Sequence, residues 1–429
     1  MASLLAIDDF VKTEPIDGPT RKPRTIAETC VPQHVLEDLA LKTLYLAGSL
    51  SVYEISARTH LAYQVADELF CRLRAGQFCQ VTGMSGNAPQ IAITSQGRSR
   101  ATELLSQSHY VGPAPVSLEN YVEQTRKQSV RNVEAHPADV ERAFADLVID
   151  SKLLRQFGTA LNSGSSVFLY GPPGVGKTSI AERLSRVLAE DEVWIPYAIE
   201  VDGEVIAVFD PEVHKRVSEE GFENHDARWA RCHRPTVLVG GELTIEMLDL
   251  QFNPSTKFYV APEQMKANNG VLIIDDFGRQ RLRPEELLNR WVVPLDRRID
   301  FLTLTGGRKI EIPFEMLVVF ASNMDPAELV DPSFLRRIQT KIKIGEVSDE
   351  QFREISRRVA LKHDLECDPG MFDELIAYIR GSLKQELRPC FPRDIVNQVL
   401  WAAKYDSRKP YLDRAALAVA IEAYFLPSP

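Results

Sequence analysis

Val35–Ala47 sets Leu36, Leu39, Ala40, Thr43, Leu44 and Ala47 on one face, the three-to-four spacing of an amphipathic helix. Two shorter helical patterns follow, Ser51–Thr59 and Ala62–Ala75. Cys79–Val81 and Ile91–Thr94 read as short strands joined by Thr82–Gln90, a turn region with Gly, Ser and Asn, and Ser95–Ser106 closes with a fourth helix. Before this block, residues 1–30 mix Pro, Asp, Lys, Arg and Thr without a period, which predicts a mobile tail. After it, residues 109–138 hold Pro113, Pro115, Pro137 and the charged stretch Glu123–Arg131, which predicts a linker with some helix.

From residue 139 the pattern changes. Continuous apolar runs at Ser166–Tyr170, Val271–Ile274 and Met316–Ala321 are the signature of buried parallel strands, and Thr340–Ile344 supplies a further strand. Ser179–Leu188 and Pro284–Leu295 are helical between them. Residues 346–429 are helical by pattern. Ser348 with Gln351 forms a capping box opening Asp349–His363, followed by Pro369–Leu387, Pro392–Tyr405 and Asp413–Phe425. The boundaries are therefore a block over 31–108, an α/β domain over 139–345 and a helical bundle over 346–429, with no internal repeat.

A length of 429 residues suits two to three domains, and 44% hydrophobic with 26% charged residues is ordinary globular composition. The net charge of −10 argues against a general nucleic-acid binder, although one basic face would be compatible with it. Six cysteines, at 30, 71, 79, 232, 367 and 390, show no C-x-x-C spacing, so neither a zinc knuckle nor a disulfide scaffold is indicated. Scattered thiols suit a reducing cytoplasm. Asp8 and Asp9 stand where an export signal needs an apolar core, and no apolar run reaches membrane-spanning length, so the expectation is a cytoplasmic protein without membrane insertion.

The chemistry concentrates in the α/β domain. Gly171-Pro172-Pro173-Gly174-Val175-Gly176-Lys177-Thr178 fits the phosphate-loop pattern G-x-x-x-x-G-K-[ST] between a strand and a helix that begins at Ser179. The glycines allow a concave nest of N–H groups facing phosphate oxygens. Lys177 would reach the β- and γ-phosphates of ATP, and the Thr178 hydroxyl would ligate Mg2+. The strand Val271–Ile274 ends in Asp275 and Asp276. Asp275 would complete the magnesium shell with Thr178, and Asp276 would polarise the attacking water. Asn323, after the strand Met316–Ala321, would orient that water. Arg336 and Arg337, before the strand Thr340–Ile344, are candidates for a cation projected into a neighbouring subunit. Arg393, opening a helix of the bundle, would reach back over the phosphates.

Taken in this order, the loop, acidic strand, Asn strand, Arg edge and helical bundle resemble the AAA+ ATPases over roughly Asp139 to Phe425. The resemblance implies Walker A at Lys177 and Thr178, Walker B at Asp275 and Asp276, sensor one at Asn323, the finger at Arg337 (or Arg336) and sensor two at Arg393. By the same analogy Val148 and Ile149 flank the adenine. Arg298–Pro313 holds two alternating runs around Gly306-Gly307, a hairpin signal immediately before the Asn323 strand. A hairpin there, after Asp275-Asp276-Phe277-Gly278-Arg279, looks like the MoxR-type members, and the chain is also similar to bacterial winged-helix ATPases described as having chaperone activity linked to pilus assembly. One departure stands out: the second Walker B acid is Asp276 where the family usually has Glu, one methylene longer. A carboxylate displaced by about 1 Å costs on the order of a hundredfold in rate, which predicts slow turnover unless the site is drawn in.

The resemblance implies an α/β fold with a parallel-sheet AAA+ core, a C-terminal helical lid and, over residues 31–108, an N-terminal winged helix-turn-helix. It also implies a homo-oligomeric ring, a hexamer, acting on an unknown protein client. The third helix, Ala62–Ala75, presents Arg72 and Arg74 beside Asp67 and Glu68, a weak footprint for phosphate contacts, so a protein partner is favoured over DNA. The other readings are a DNA-associated regulator or motor, and a slow nucleotide switch. Between loop and acidic strand, Val201–Val205 forms a hairpin turning at Asp202-Gly203, Arg234–Gly240 supplies a strand, and Met247, Phe252, Phe258 and Tyr259 either face a ring pore or pack, with core packing favoured for most of them and no role assigned.

Overall fold

A computed structural model describes residues 22–85, 88–189, 191–218, 225–329 and 331–425. Its centre is a five-stranded, wholly parallel sheet in the spatial order Thr236–Val239, Val271–Ile274, Leu317–Ser322, Val167–Tyr170 and Thr340–Lys343. The three inner strands are buried along their length except at Tyr170, as continuous apolar runs require when both faces are covered. Helices Ser151–Ser163 and Lys177–Val187 pack one apolar layer with these strands. On the other side Phe168, Phe277, Phe320, Trp291 and Phe314 form a fully buried aromatic layer with ring centroids 5.1–6.4 Å apart. The fold is α/β on a parallel sheet, with a helical C-terminal region built from Asp349–Lys362, Met371–Ala377, Cys390–Tyr405 and Arg414–Tyr424.

Residues 33–107 form four helices and a three-stranded antiparallel sheet rather than two strands alone, because Ser49–Ser51 adds a strand beside Ala88–Ile93. This unit shares its core with a second mixed sheet. Ala198 and Val205 are buried in the same cluster as Leu36, Val65 and Leu69. The order of the second sheet is Gln251–Asn253, Phe258–Val260, Glu204–Ala207, Ala198–Val201 and Val116–Ser117. Asp202 and Gly203 turn its hairpin with φ of 53° and 86°, the left-handed values that this turn demands. The hairpin Ile299–Thr303/Lys309–Pro313 packs Leu302, Leu304, Ile310 and Ile312 into the same core. Of the four positions left between packing and a pore, Tyr259 is buried, Met247 and Phe258 are partly buried, and Phe252 is exposed with its ring 5.2 Å from that of Tyr259.

Four expectations need correction. Residues 22–30 are not part of a tail: Ala27–Thr29 is a 3-10 turn, Ile26 and Thr29 are buried, and Arg228 donates to the Thr29 carbonyl at 3.0 Å. Residues 1–21 of that expectation lie outside the described residues. The linker carries the expected helix, Leu118–Lys127, but is built into the core. Tyr121, Gln124, Thr125 and Gln128 of its helix and turn are buried, and Gln128 donates to Asn269 at 2.9 Å and to the Trp194 carbonyl at 2.7 Å. Polar residues inside helices carried this anchoring, so a charge-based reading missed it. The helix Pro284–Leu295 is broken at Trp291, which turns into the aromatic layer. Pro369–Leu387 is helical only to Ala377, continues as a π turn over Tyr378–Ser382 and then runs irregularly to Pro389.

Candidate functional site

The phosphate loop leaves the carboxyl end of the inner strand Val167–Tyr170, where open parallel sheets present ligands. Gly176 caps the following helix with φ of 89°. A side chain there would be strained, and its absence lets the loop N–H groups converge toward the helix N-terminus. Gly174 is needed for space as well: a Cβ there would come within 2.6 Å of the Cys390 sulfur on the C-terminal bundle.

Lys177 is nearly buried. Its ammonium donates to the Gly171 and Pro172 carbonyls, both at 2.9 Å, and to Asn323 Oδ1 at 2.7 Å. Burial pulls its pKa down, while Asp275 and Asp276 push it back up. Asn323 Nδ2 in turn donates to Asp276 Oδ1 at 3.1 Å. Thr178 Oγ1 donates to Asp275 Oδ2 at 2.7 Å. Two strand tips are thus laced to the loop that leaves a third strand, by side chains far apart in sequence. Behind them, Ser322 Oγ donates to the Phe277 carbonyl at 2.6 Å and the Phe277 N–H to the Ala321 carbonyl at 2.8 Å, which fixes the turn after the acidic strand. Asp276 sits in that turn with φ of 49°, a conformation Asp tolerates better than longer or branched side chains.

A cleft of about 850 Å³ opens from this point to the C-terminal bundle. Pro173 through Ser179, Asp275, Asp276 and Asn323 line its phosphate end. Val148 and Ile149 line it too, as do Ile355 and Val359 of the helix Asp349–Lys362, whose Arg358 bonds to the Ala145 and Leu147 carbonyls just ahead of Val148. Arg393 lines the cleft too, exposed and bonded to Asp394 at 3.0 Å. Gly171 and Pro172 contribute through their carbonyls on Lys177. The structure does not bring Arg336 and Arg337 to this cleft. Arg336 is exposed, and Arg337 donates its Nε to Asp296 at 2.9 Å with its guanidinium 5.5 Å from the Phe334 ring centroid.

Residues that sequence reasoning passed over also line it. Ile355, Arg358, Val359 and Lys362 recur at helical spacing on one face of their helix. The period was readable, but the direction in which that face points was not. Asp146, ahead of Val148, is held at 2.7 Å by Arg183 of the phosphate-loop helix, which keeps its carboxyl below the usual range.

A protein-family profile described as "Domain of unknown function (DUF8689)" matches residues 348–423. No curated protein matches the chain. Among solved structures, the Thermotoga maritima RuvB Holliday junction branch migration motor is similar at 15% identity and a TM-score of 0.38, over 64% of this chain and 69% of its own. Domain III of the Thermotoga maritima replication initiation protein DnaA is similar at 12% identity and a TM-score of 0.39, over 67% of this chain and 98% of its own. Both likenesses are distant. No helix among the described residues is long and apolar enough to cross a membrane.

Proposed function

We propose that this chain is an AAA+ ATPase of the MoxR-like kind that hydrolyses ATP and remodels or assembles a protein partner, working as a hexameric ring with residues 31–108 as a winged-helix recruitment module. The observation that carries the reading is the convergence of Lys177, Thr178, Asp275, Asp276 and Asn323 at one loop, in the mouth of a cleft closed by a helical lid. Thr178 and Asp275 offer two hard oxygen donors 2.7 Å apart beside the phosphate nest, a set that fits Mg2+. Thr178 and Asp275 would hold the ion, which would supply neutralisation of phosphate charge.

The chain's own groups then divide the work. Loop N–H groups and Lys177 bind the phosphates, and Lys177 exchanges its two carbonyl contacts for phosphate oxygens. Asp276 accepts the proton-bearing edge of the attacking water, and Asn323, already bonded to Asp276, fixes where that water stands. Arg393 covers the phosphates from the lid, and Val148 and Ile149 hold the adenine edge. Arg337 comes from the neighbouring copy. Its pairing with Asp296 fixes the guanidinium at the domain edge before any partner arrives, which is the preorganisation a charge-stabilising group needs.

The DNA-binding reading is less well supported. Arg72 is tied to Glu68 at 3.0 Å, and the turn leading into the helix Tyr63–Ala75 is docked within the chain: His60 Nδ1 lies 2.7 Å from the Ala227 carbonyl. Arg72 and Arg74, the helix's two cations, lie in its last turn, whereas a recognition helix reads bases with its N-terminal residues. Phosphate release from ATP and magnesium tests the proposal. Lys177→Ala should abolish it, and a Walker B variant that holds ATP should retain the client in a pull-down. A chain that fails to bind ATP, or stays monomeric in every nucleotide state, refutes it. Tight duplex binding with a steep salt dependence would favour the DNA reading instead.

A further inference from the structure

Ala145 to Ile149 crosses the base end of the cleft as an irregular strap between the helices Pro137–Ala143 and Ser151–Ser163. It is pinned from two sides. The Asp146 carboxylate is held at 2.7 Å by Arg183, nearly two turns into the phosphate-loop helix. From the opposite side, Arg358 of the lid helix donates to the Ala145 carbonyl at 2.9 Å and the Leu147 carbonyl at 3.4 Å. Glu354, one turn earlier on the same lid helix, holds the Arg358 Nε at 2.7 Å and so aims the fork at the strap. The strap therefore joins the helix that grips phosphate to the lid that closes the cleft, and it carries Leu147, Val148 and Ile149 along the wall between them.

Resting on the nucleotide reading above, we infer that Arg358 is a positioning residue for adenine nucleotides: it latches the lid to the strap, and thereby sets the width of the slot between Val148 and Ile149 on one side and Ile355 and Val359 on the other. The guanidinium is engaged by Glu354 and by the Ala145 and Leu147 carbonyls of the strap. Its contribution is confined to the base end, so it acts on ligands that carry a base and not on a bare polyphosphate. A lysine at this position retains the charge but lacks the planar fork needed to meet Glu354 and two carbonyls together.

The test compares ADP with inorganic tripolyphosphate, each with magnesium, by calorimetric titration of the full chain. Arg358→Ala should weaken ADP by about five- to tenfold, the scale of one charge-assisted hydrogen bond at a partly exposed site. It should leave tripolyphosphate affinity unchanged, and Arg358→Lys should recover part of the ADP loss. Asp146→Asn, which removes the other pin, should show the same ADP-selective weakening. Equal ADP affinity in wild type and Arg358→Ala overturns the inference, and so does an equal loss for both ligands, which would mean that the substitution disturbs the phosphate loop. If the wild-type chain binds neither ligand, the nucleotide reading falls, and this inference falls with it.

Discussion

The Thr178 hydroxyl donates to the Asp275 carboxylate at 2.7 Å, joining the first turn of the phosphate-loop helix to the tip of the acidic strand. Val239 fixes the Asp275 backbone, its carbonyl accepting the Asp275 N–H at 2.8 Å, and the Asp276 N–H donates to Asp275 Oδ1 at 3.0 Å, so the carboxylate is aimed by the sheet and by the turn that follows it. Each group is thus oriented by a different element, and their meeting depends on the register between strand and helix.

If that meeting point holds magnesium, Thr178→Val and Asp275→Asn should each cut ATP turnover by about a hundredfold, comparable to losing one preorganised electrostatic contact. Part of the loss should return at high magnesium for Thr178→Val, which keeps the carboxylate. Phosphate-release assays across a magnesium series check this. Turnover that stays at wild-type level in both variants would place the metal elsewhere.

Asp276→Asn should leave ATP binding nearly intact and lower hydrolysis by roughly 10²–10⁴-fold, the range for losing a positioned acid–base group. Asp276→Glu should not rescue the shorter acid. The backbone is left-handed there, and the Asn323 contact at 3.1 Å is set for an Asp carboxylate. A longer side chain displaces that contact and takes on about 1–2 kcal/mol of backbone strain. Single-turnover kinetics decide the point, since a faster Asp276→Glu enzyme would show that the missing methylene limits the native rate.

The contrast between loop and latch shows what could be read from sequence. The phosphate loop and the acidic strand are local patterns, and the buried runs Val167–Tyr170 and Val271–Ile274 leave little choice but parallel pairing. Arg358 reaches a carbonyl 213 positions away, and nothing in its own helix marks the partner. Trp291 broke an expected helix because burying its ring beside Phe314 outweighs continuing the helix through that residue. Residues 22–30 look like tail by composition, yet Arg228 draws their backbone into the core from almost 200 positions away.

Arg337→Ala and Lys177→Ala subunits, each inactive alone, should recover activity when mixed if the finger acts between copies. A mixed interface can pair an intact loop with an intact arginine, so activity should pass through a maximum with mixing ratio. Arg336→Ala, lacking the Asp296 anchor that orients its neighbour, should retain most activity alone. Recovery with Arg336→Ala in place of Arg337→Ala would reassign the finger, and no recovery at any ratio would remove it.

Asp226→Ala should destabilise the chain by about 3–5 kcal/mol, because it strands the Arg228 guanidinium, which is 1% exposed, without its carboxylate. Arg228 also donates to the Thr29 and Pro115 carbonyls at 3.0 and 3.1 Å, so the segments on either side of residues 33–107 should loosen first. The Asp226→Ala/Arg228→Met double variant should regain much of the loss. Urea denaturation with limited proteolysis measures both effects. A single variant as stable as wild type would mean that water reaches the arginine.

His214 gives the pH dependence a sign. It is 2% exposed, accepts the Asp210 N–H at Nδ1 at 2.8 Å and lies 2.9 Å from the Lys266 carbonyl at Nε2, so it is held as the neutral tautomer with its proton on Nε2. Burial pushes it down to about 4, helped by the nearby Lys266 ammonium and opposed by the Lys266 carbonyl and the Asp210 carboxylate. In the unfolded chain an ordinary histidine titrates near 6.5. Between these two values the unfolded state binds the extra proton, so stability rises with pH across that window and is level above it. The full contribution is about 3 kcal/mol, present above pH ~6.5 and lost progressively toward pH ~4. Urea denaturation at pH 7.5 and 5.0 should show wild type losing more stability on acidification than His214→Gln, which keeps an amide in place but cannot titrate. Equal losses in the two proteins would show that His214 is already protonated in the folded state or is reached by solvent.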